Sequence, residues 1–462
     1  MAVPEIFTAL WTALGGDQDA ADRLRVTGPA RVLPSVYDVT SFAAAAVAAA
    51  TAGVAEVQAL RRGKPAAPIT VDRRAACAAF LGEQLLAATW ELPPIWDPVA
   101  GDYRAADGWI RLHTNYAAHR AAALGVLGVA AERPAVVAAV GGWPAQALES
   151  AVVAAGGCAA AMHDRESWLR HEQGAATAAE PPVRISPAAG APSGLADLPI
   201  ADGAPLRGLR VLDLTRVIAG PTCTRFLAGY GAQVLRIDPP WFEEVPAAVP
   251  DTSAGKRCAG LDLTDRGDRE RFEALVGDAH VLIAGLRPGA LDGLGYAPDR
   301  LRGINPRLVV ARLDAYGWNG PWRGRRGFDS LIQMSCGIAA AGMAARGVDH
   351  PVPLPAQALD HGLGYLLAAA TCRALVVAAT SGGTPEVTGS LIGVAGTLTS
   401  LPDQDGLGAP SPSWSDDDLV GVPTAWGPAR RVPVPGAVVG TSAPSLEVEA
   451  GPLRRHPAAW VP

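Results

Sequence analysis

VLDLTRVIAGPTCTRFLAGYGAQVLRID, residues 211–238, is the stretch on which the fold turns. Val211-Leu212-Asp213-Leu214 is a short apolar run of the kind buried inside a parallel sheet. Ala219-Gly220-Pro221 reads as a turn, residues 222–230 as a helix ended by Gly231, and Val234-Leu235-Arg236-Ile237 as a second strand. Residues 281–284 and 308–313 repeat the strand signal, with a helical pattern over 265–276. This alternation predicts an α/β fold, a Rossmann-like doubly wound parallel sheet. The dinucleotide triad G-x-G-x-x-G is missing, because Arg216, Ile218 and Pro221 crowd the turn, and NAD or FAD is thereby disfavoured. A helix N-terminus behind a strand can still receive a phosphate, and Asp238 ends the second strand where an acidic residue often meets a ribose; sheet packing explains Asp238 equally well.

Outward from this block lie two stretches that read as exposed connections. Residues 176–205 are rich in Pro, Ala and Gly, and residues 400–418 in Pro, Ser, Gly and Asp. They divide the chain into residues 1–175, a linker over 176–205, the α/β block over 206–398 and a Pro/Gly-rich tail over 399–462. The halves echo each other. VLPSVYDVTSFAAAAVAAATAGVAEVQALRRGKP begins at Val32 and PLPAQALDHGLGYLLAAATCRALVVAATSGGTP at Pro353. Each has Leu-Pro, an aspartate, a long alanine-rich helix, a Gly-containing turn and a strand-like run; with one or two gaps Asp38 falls opposite Asp360.

Of 462 residues 49% are apolar, ample for more than one core, and the net charge of −6 carries no basic excess to suit a nucleic acid. The only lysines, Lys64 and Lys256, stand in an arginine-rich chain. The six cysteines are scattered without a C-x-x-C pair or a nearby histidine cluster, so buried thiols are expected rather than a disulfide framework or a metal site. No signal-peptide pattern opens the chain, and the uncharged run over 41–55 is too short to span a bilayer, so a cytoplasmic protein without a membrane partner is expected.

The segment 206–231, followed by GKRCAGLDLTD (255–265), GLRPGALDGLGY (285–296), INPRLVVARLDAYGWNGPWRGRRGFDSLIQMSCGIAAAG (304–342) and LPAQALDHGLGYLL (354–367), resembles the family III CoA-transferases, the CaiB/BaiF group. VAGDYRAADGWIRLHTN (99–115) and LESAVVAAGGCAAAMHDRESWLRHEQGAA (148–176) resemble that family's smaller α/β domain, here placed ahead of the main domain in a rearranged or fused order. The resemblance implies transfer of CoA from an acyl-CoA to a small carboxylic acid through a mixed anhydride and an aspartyl-CoA thioester. Coenzyme A and acyl-CoA then enter as substrates, with no permanently bound cofactor and no metal. It implies an interlocked homodimer, and a catalytic aspartate at Asp360. A carboxylate needs positioning more than deprotonation, and the positive end of the following helix would favour its charged form; the plain alternative is an N-cap. Asp38 is read as a structural cap. The resemblance places CoA contacts at Arg216, Ile218, Ala219, Leu261, Thr264, Gly285, Leu286, Arg287 and Arg326, with Gly285 and Gly293 departing from the larger polar residues of other members. Arginines suit phosphate oxygens through paired donors. His113, Asn115 and His119 read as ordinary packing. Two other functions compete. An acyl-CoA racemase or epimerase of the same fold would need a second base where Phe328 stands. A non-catalytic CoA-binding homologue would need no nucleophile.

Overall fold

The computed structural model describes residues 2–187, 191, 195, 198, 203–287, 289–403, 406–408 and 412–461. Its main sheet contains β1 (Val183–Ser186), β2 (Arg210–Leu214), β3 (Gln233–Asp238), β4 (Lys256–Gly260), β5 (Val281–Ala284), β6 (Val309–Asp314) and β7 (Glu386–Ser390). The strands lie in the order β4-β3-β2-β5-β6-β7-β1. All neighbours are parallel except β7 and β1. Val211 faces Val234 on one side and Val281 on the other, which is why these strands are apolar throughout: both faces of the sheet are covered. The strand order reverses between β2 and β5, and the crevice this opens at their carboxyl ends is the usual ligand position in such sheets.

Four helices position the site: α1 (Val39–Arg62), α2 (Ala219–Gly229), α3 (Asp329–Ser335) and α4 (Ala358–Ser381). α2 starts earlier than its sequence suggests. Gly220 and Pro221 belong to its first turn, where proline needs no amide partner. A Cβ on Gly220 would sit 2.2 Å from Thr215 Cβ, so glycine lets the helix start directly against the strand end.

α1 and α4 show that the sequence echo is a structural repeat. Each has 24 residues, and each is followed by a left-handed glycine, Gly63 or Gly382. Their N-cap residues share φ −74°, with ψ 69° at Asp38 and 63° at Gln357. The helices cross where a Cβ on Gly53 would come 2.9 Å from Cys372 Cβ. After α1 comes the strand Ile69–Asp72 and a short helix capped by Asp72; after α4 comes β7 and a short helix capped by Ser390. Ile69–Asp72 has a parallel neighbour in Leu24–Thr27 and an antiparallel one in Ala437–Val438, matching β6 and β1 around β7. Counted from the helix starts, Asp38 matches Gln357 and Ser41 matches Asp360. The expected Asp38–Asp360 equivalence is therefore corrected: Asp38 caps α1, accepting from the Ser41 amide at 2.8 Å, whereas Asp360 is the third residue of its helix.

The run 41–55 belongs to a helix longer than itself. α1 and α4 have the length and hydropathy to cross a membrane, but 83% and 78% of their apolar windows are buried within the protein, so that surface is consumed by internal packing. The stretch expected as a free linker contributes β1, and Glu180 beside it accepts from the Ser390 hydroxyl at 2.6 Å; much of 188–202 lies outside the described residues. The tail is also packed. Ala429–Arg431 pairs with Ala87–Ala88, and Cys258 and His456 exchange hydrogen bonds along the open edge of β4. An edge strand covered in this way cannot recruit another sheet.

The smaller domain is an antiparallel sheet of Gly101–Arg104, Trp109–Leu112 and Ala159–Ala161, backed by Ala117–Leu127, Arg133–Val140 and Ala145–Ala154 around Ile110, Val136 and Leu148. Leu331 and Met334 of α3 pack against Cys158 and Ala160, docking it to the main domain. All six cysteines are buried and free.

Candidate active site

The start of α4 sets the site. Gln357 is its N-cap, and the Leu359 and Asp360 amides donate to Asp329 Oδ2 at 2.8 and 3.0 Å. Asp329, the first residue of α3, takes the role that a capping side chain would fill. Its other oxygen accepts from Gln333, whose own oxygen holds the Leu354 amide at 2.8 Å. Asp360 is only 7% exposed, faces a cavity of about 240 Å³ and has no side-chain hydrogen bond among the described residues. Burial first, then the charges of Asp329 and Glu83, hold its carboxyl well above the usual range; burial likewise pushes Asp329 up to about 6. The expectation that the helix end favours the charged form of Asp360 is thus corrected, because Asp329 already occupies the amides that would have stabilised it. The N-cap alternative is set aside by position.

Glu83 meets His361 at 3.0 Å, and both are buried. Burial alone would raise Glu83, but the charge and hydrogen bond of His361 outweigh it and hold Glu83 below the usual carboxylate range. His361 Nδ1 is 3.4 Å from the Thr222 hydroxyl and its ring stacks on Phe80, so it is committed away from Asp360. Where a racemase needs its second base, Phe328 stacks flat on His113 with centroids 3.6 Å apart. Burial, then Arg111, lowers His113 to about 3, leaving it neutral. Both His113 and Asn115 line the cavity, which the packing reading did not foresee, although Asn115 also braces its loop through Ile95 and Asp97 at 2.9 Å. His119 lies apart from the lining and is lowered to about 4 by burial and Arg326.

The turn after β2 is strained at Val217, a β-branched residue at φ 65° whose amide donates to Glu244 at 3.1 Å. Val217 and Ile218 line the cavity; Ala219 is buried at the start of α2. The Arg216 guanidinium lies 3.5 Å from the Phe242 ring centroid and 4.0 Å from Asp238. Asp238 is buried in an ion pair with Arg236 at 2.8 Å, so the sheet-packing reading describes it. Leu261 is buried beyond β4, whereas Thr264 is exposed and bonded to Asp262 at 2.7 Å. Gly285, Leu286 and Arg287 follow β5, with Arg287 exposed, and Arg326 is exposed on the loop before α3. The structure thus brings Ile218 and Asp360 to one cavity and sets most other expected contacts along the carboxyl edge of the sheet, outside that lining. Lys256 is buried and serves the fold, its Nζ donating to Asp213 at 3.0 Å and to the Pro221 carbonyl at 3.1 Å.

Sequence reasoning missed Glu83, Trp96, Asp329, Ser330 and Gln357, all lining the cavity. Asp329 lay in plain view inside GRRGFDS, beside Phe328; Glu83 had no local signal, since its role depends on a fold-level approach to α4. Both halves of a single chain supply the enclosure.

Residues 206–403 match the family model described as CoA-transferase family III. Among curated proteins the chain is 36% identical over 187 residues to an acetyl-coenzyme A transferase of Hypoxylon pulicicidum, spanning 40% of this chain and 32% of that one. It is 34% identical over 185 residues to a probable fatty acyl-CoA transferase of Mycobacterium tuberculosis, spanning 37% and 46%. It is 29% identical over 198 residues to a formyl-CoA:oxalate CoA-transferase of Rhodopseudomonas palustris, spanning 40% and 46%. A crystal structure of a hypothetical protein from Mycobacterium tuberculosis shares 32% identity with a TM-score of 0.39, covering 43% of this chain and 57% of that one. The chain therefore spans less than half the length of these curated relatives.

Proposed function

We propose, from the match of residues 206–403 to the model described as CoA-transferase family III, that the chain moves CoA from an acyl-CoA to a small carboxylic acid, with Asp360 as the attacking group. One observation carries this reading: within the matched segment, Asp360 is a buried carboxyl free of side-chain hydrogen bonds among the described residues and lining the cavity. A carboxylate whose lone pairs are not engaged keeps its nucleophilicity, and enclosure protects an anhydride from water.

The Asp360 carboxylate attacks the thioester carbonyl carbon of the donor. The C–S bond breaks, CoA leaves as a thiolate, and a mixed anhydride joins the acyl group to Asp360. The thiolate attacks Asp360 Cγ, the donor acid departs as its carboxylate, and an aspartyl-CoA thioester remains. The acceptor carboxylate attacks that thioester and expels the thiolate again. Attack of the thiolate on the acceptor carbonyl carbon then yields the new acyl-CoA and restores Asp360. As part of the same reading the enzyme works in the cytoplasm as a homodimer, following the family resemblance.

The test is incubation with a panel of acyl-CoAs, trapping by borohydride or hydroxylamine, and intact-mass and peptide mapping. An adduct on Asp360 is expected. A protein that binds CoA by calorimetry yet forms no adduct with any donor would be a binding homologue instead.

The attack requires an ionised Asp360, so the rate should fall as pH drops through its raised pKa and rise above it. Glu83→Gln removes one of the two charges that raise it. The acid limb of adduct formation should then move to lower pH, with the acidic-side rate up by roughly threefold or more and the alkaline plateau little changed. Single-turnover rates across pH check this; an unmoved limb would remove Glu83 from the tuning of Asp360.

A further inference from the structure

Among the described residues only two besides glycines take a left-handed backbone, Val217 at φ 65° in the turn after β2 and Arg454 at φ 64° in the tail. Both bear on one loop, residues 239–245, which follows β3. Arg454 Nη1 donates to the Phe242 carbonyl at 2.6 Å. Two residues further on, Glu244 is buried, and four donors converge on its carboxylate. Oε1 accepts from the Tyr116 hydroxyl at 2.6 Å and from the Val245 amide at 3.0 Å. Oε2 accepts from the Val217 amide and from Arg236 Nη2, each at 3.1 Å. Burial, then the charge of Glu244, raises the Tyr116 phenol, which therefore stays the donor. Tyr116 immediately precedes the helix Ala117–Leu127 of the smaller domain.

A β-branched residue at positive φ is a genuine outlier, and such a conformation persists only where its surroundings over-determine it. The bond from the Val217 amide to Glu244 is a constraint of this kind. Released from it, the turn would relax to negative φ and its peptides would swing. Val217, Ile218 and Val245 all line the Asp360 cavity, so the swing would displace a wall of that cavity. A reacting group held against a displaced wall loses its alignment, and an error of about 1 Å is enough to slow a reaction severely.

We propose that Glu244 is a positioning residue: its buried carboxylate holds Val217 in the left-handed turn that shapes a wall of the Asp360 cavity, and the Tyr116 hydroxyl ties that hold to the docked smaller domain. Glu244 takes no part in bond making. The inference rests on Asp360 as the reacting group for its kinetic readout, whereas the turn itself is read without turnover.

The deciding experiment compares wild type, Glu244→Gln, Val217→Gly and the double variant. Single-turnover adduct formation on Asp360 with acetyl-CoA gives the saturated rate, and crystal structures give φ at residue 217. Glu244→Gln keeps the size of the side chain but sets an amide NH₂ among donors. It should bring residue 217 to negative φ and lower the saturated rate roughly tenfold or more. Glycine holds a left-handed φ unaided, so in the Val217→Gly background the same exchange should leave φ positive and slow the reaction by no more than about threefold. Val217→Gly alters the cavity wall itself, so only the ratio within each background is read. Tyr116→Phe removes one donor and keeps the other three. It should slow adduct formation several-fold, again less in the Val217→Gly background, and it decides the matter should Glu244→Gln fail to fold. Residue 217 still near φ 65° in Glu244→Gln, or equal rate losses in the two backgrounds, would overturn the proposal and make Glu244 a general support of the fold. A wild type that forms no adduct with any acyl-CoA would reject the transfer reaction, and φ at residue 217 would then decide the role of Glu244 alone.

Discussion

Exchange of Asp360 for asparagine is expected to cut CoA transfer by at least about a thousandfold and to abolish the trapped adduct, since an amide cannot form the anhydride. The same exchange should make the protein more stable at neutral pH. Asp360 is buried beside Asp329 and Glu83, and its folded pKa stands well above the ordinary value near 3.9. The folded chain therefore keeps a proton that the unfolded chain releases. Stability is undiminished below the unfolded pKa and erodes as pH rises toward the folded one. Asparagine has the same shape and no proton to lose, so its melting temperature should match the wild type in acid and exceed it by roughly 2–5 °C near neutrality. Melting curves from pH 4 to 8 with parallel adduct trapping read both effects. A variant that lost activity and stability together at every pH would mark Asp360 as structural.

The combination of lost function and gained stability is what a site under electrostatic tension produces, and the sequence contained only half of it. The apolar runs at Val211–Leu214 and Val281–Ala284 announced buried parallel strands because both faces of such strands are covered. The start of α2 was obscured because Gly220-Pro221 serves a turn and a first helical turn equally well. β1 went unseen: four residues of mixed polarity, paired on one side only, give no period to detect. The repeat was visible as two alanine-rich helices, but matching aspartate to aspartate set the register three residues wrong, since one is a cap and the other lies inside the first turn. At the site, Asp360 was legible within its motif. The two carboxylates that raise its pKa were not, because Glu83 and Asp329 meet it only through the packing of distant segments.

Lys256→Met is expected to destabilise the fold by about 3–5 kcal/mol, the usual result of stripping one partner from a buried ion pair. Asp213 lies in the centre of the sheet, accepting from the Thr215 amide at 2.9 Å, the Thr215 hydroxyl at 2.5 Å, the Thr224 hydroxyl at 2.6 Å and Lys256 at 3.0 Å. Burial alone would raise its pKa, but Lys256, Arg236 and the two hydroxyls hold it below the ordinary value. Its contribution is therefore present above the ordinary carboxylate range and lost as pH falls through the folded value. Without the ammonium Asp213 must keep its proton or carry an unpaired charge, so the loss in Lys256→Met should be largest at neutral pH and shrink in acid. An arginine here should also destabilise, although the chain uses arginine almost everywhere else. The space between Asp213 and the Pro221 carbonyl takes a compact ammonium, and a planar guanidinium would press into α2. Combining Lys256→Met with Asp213→Asn removes both charges and should recover more than half of the loss. Urea unfolding midpoints of the single and double variants decide between charge and shape: a double variant no more stable than Lys256→Met would assign the loss to packing of the lysine stem beneath the turn.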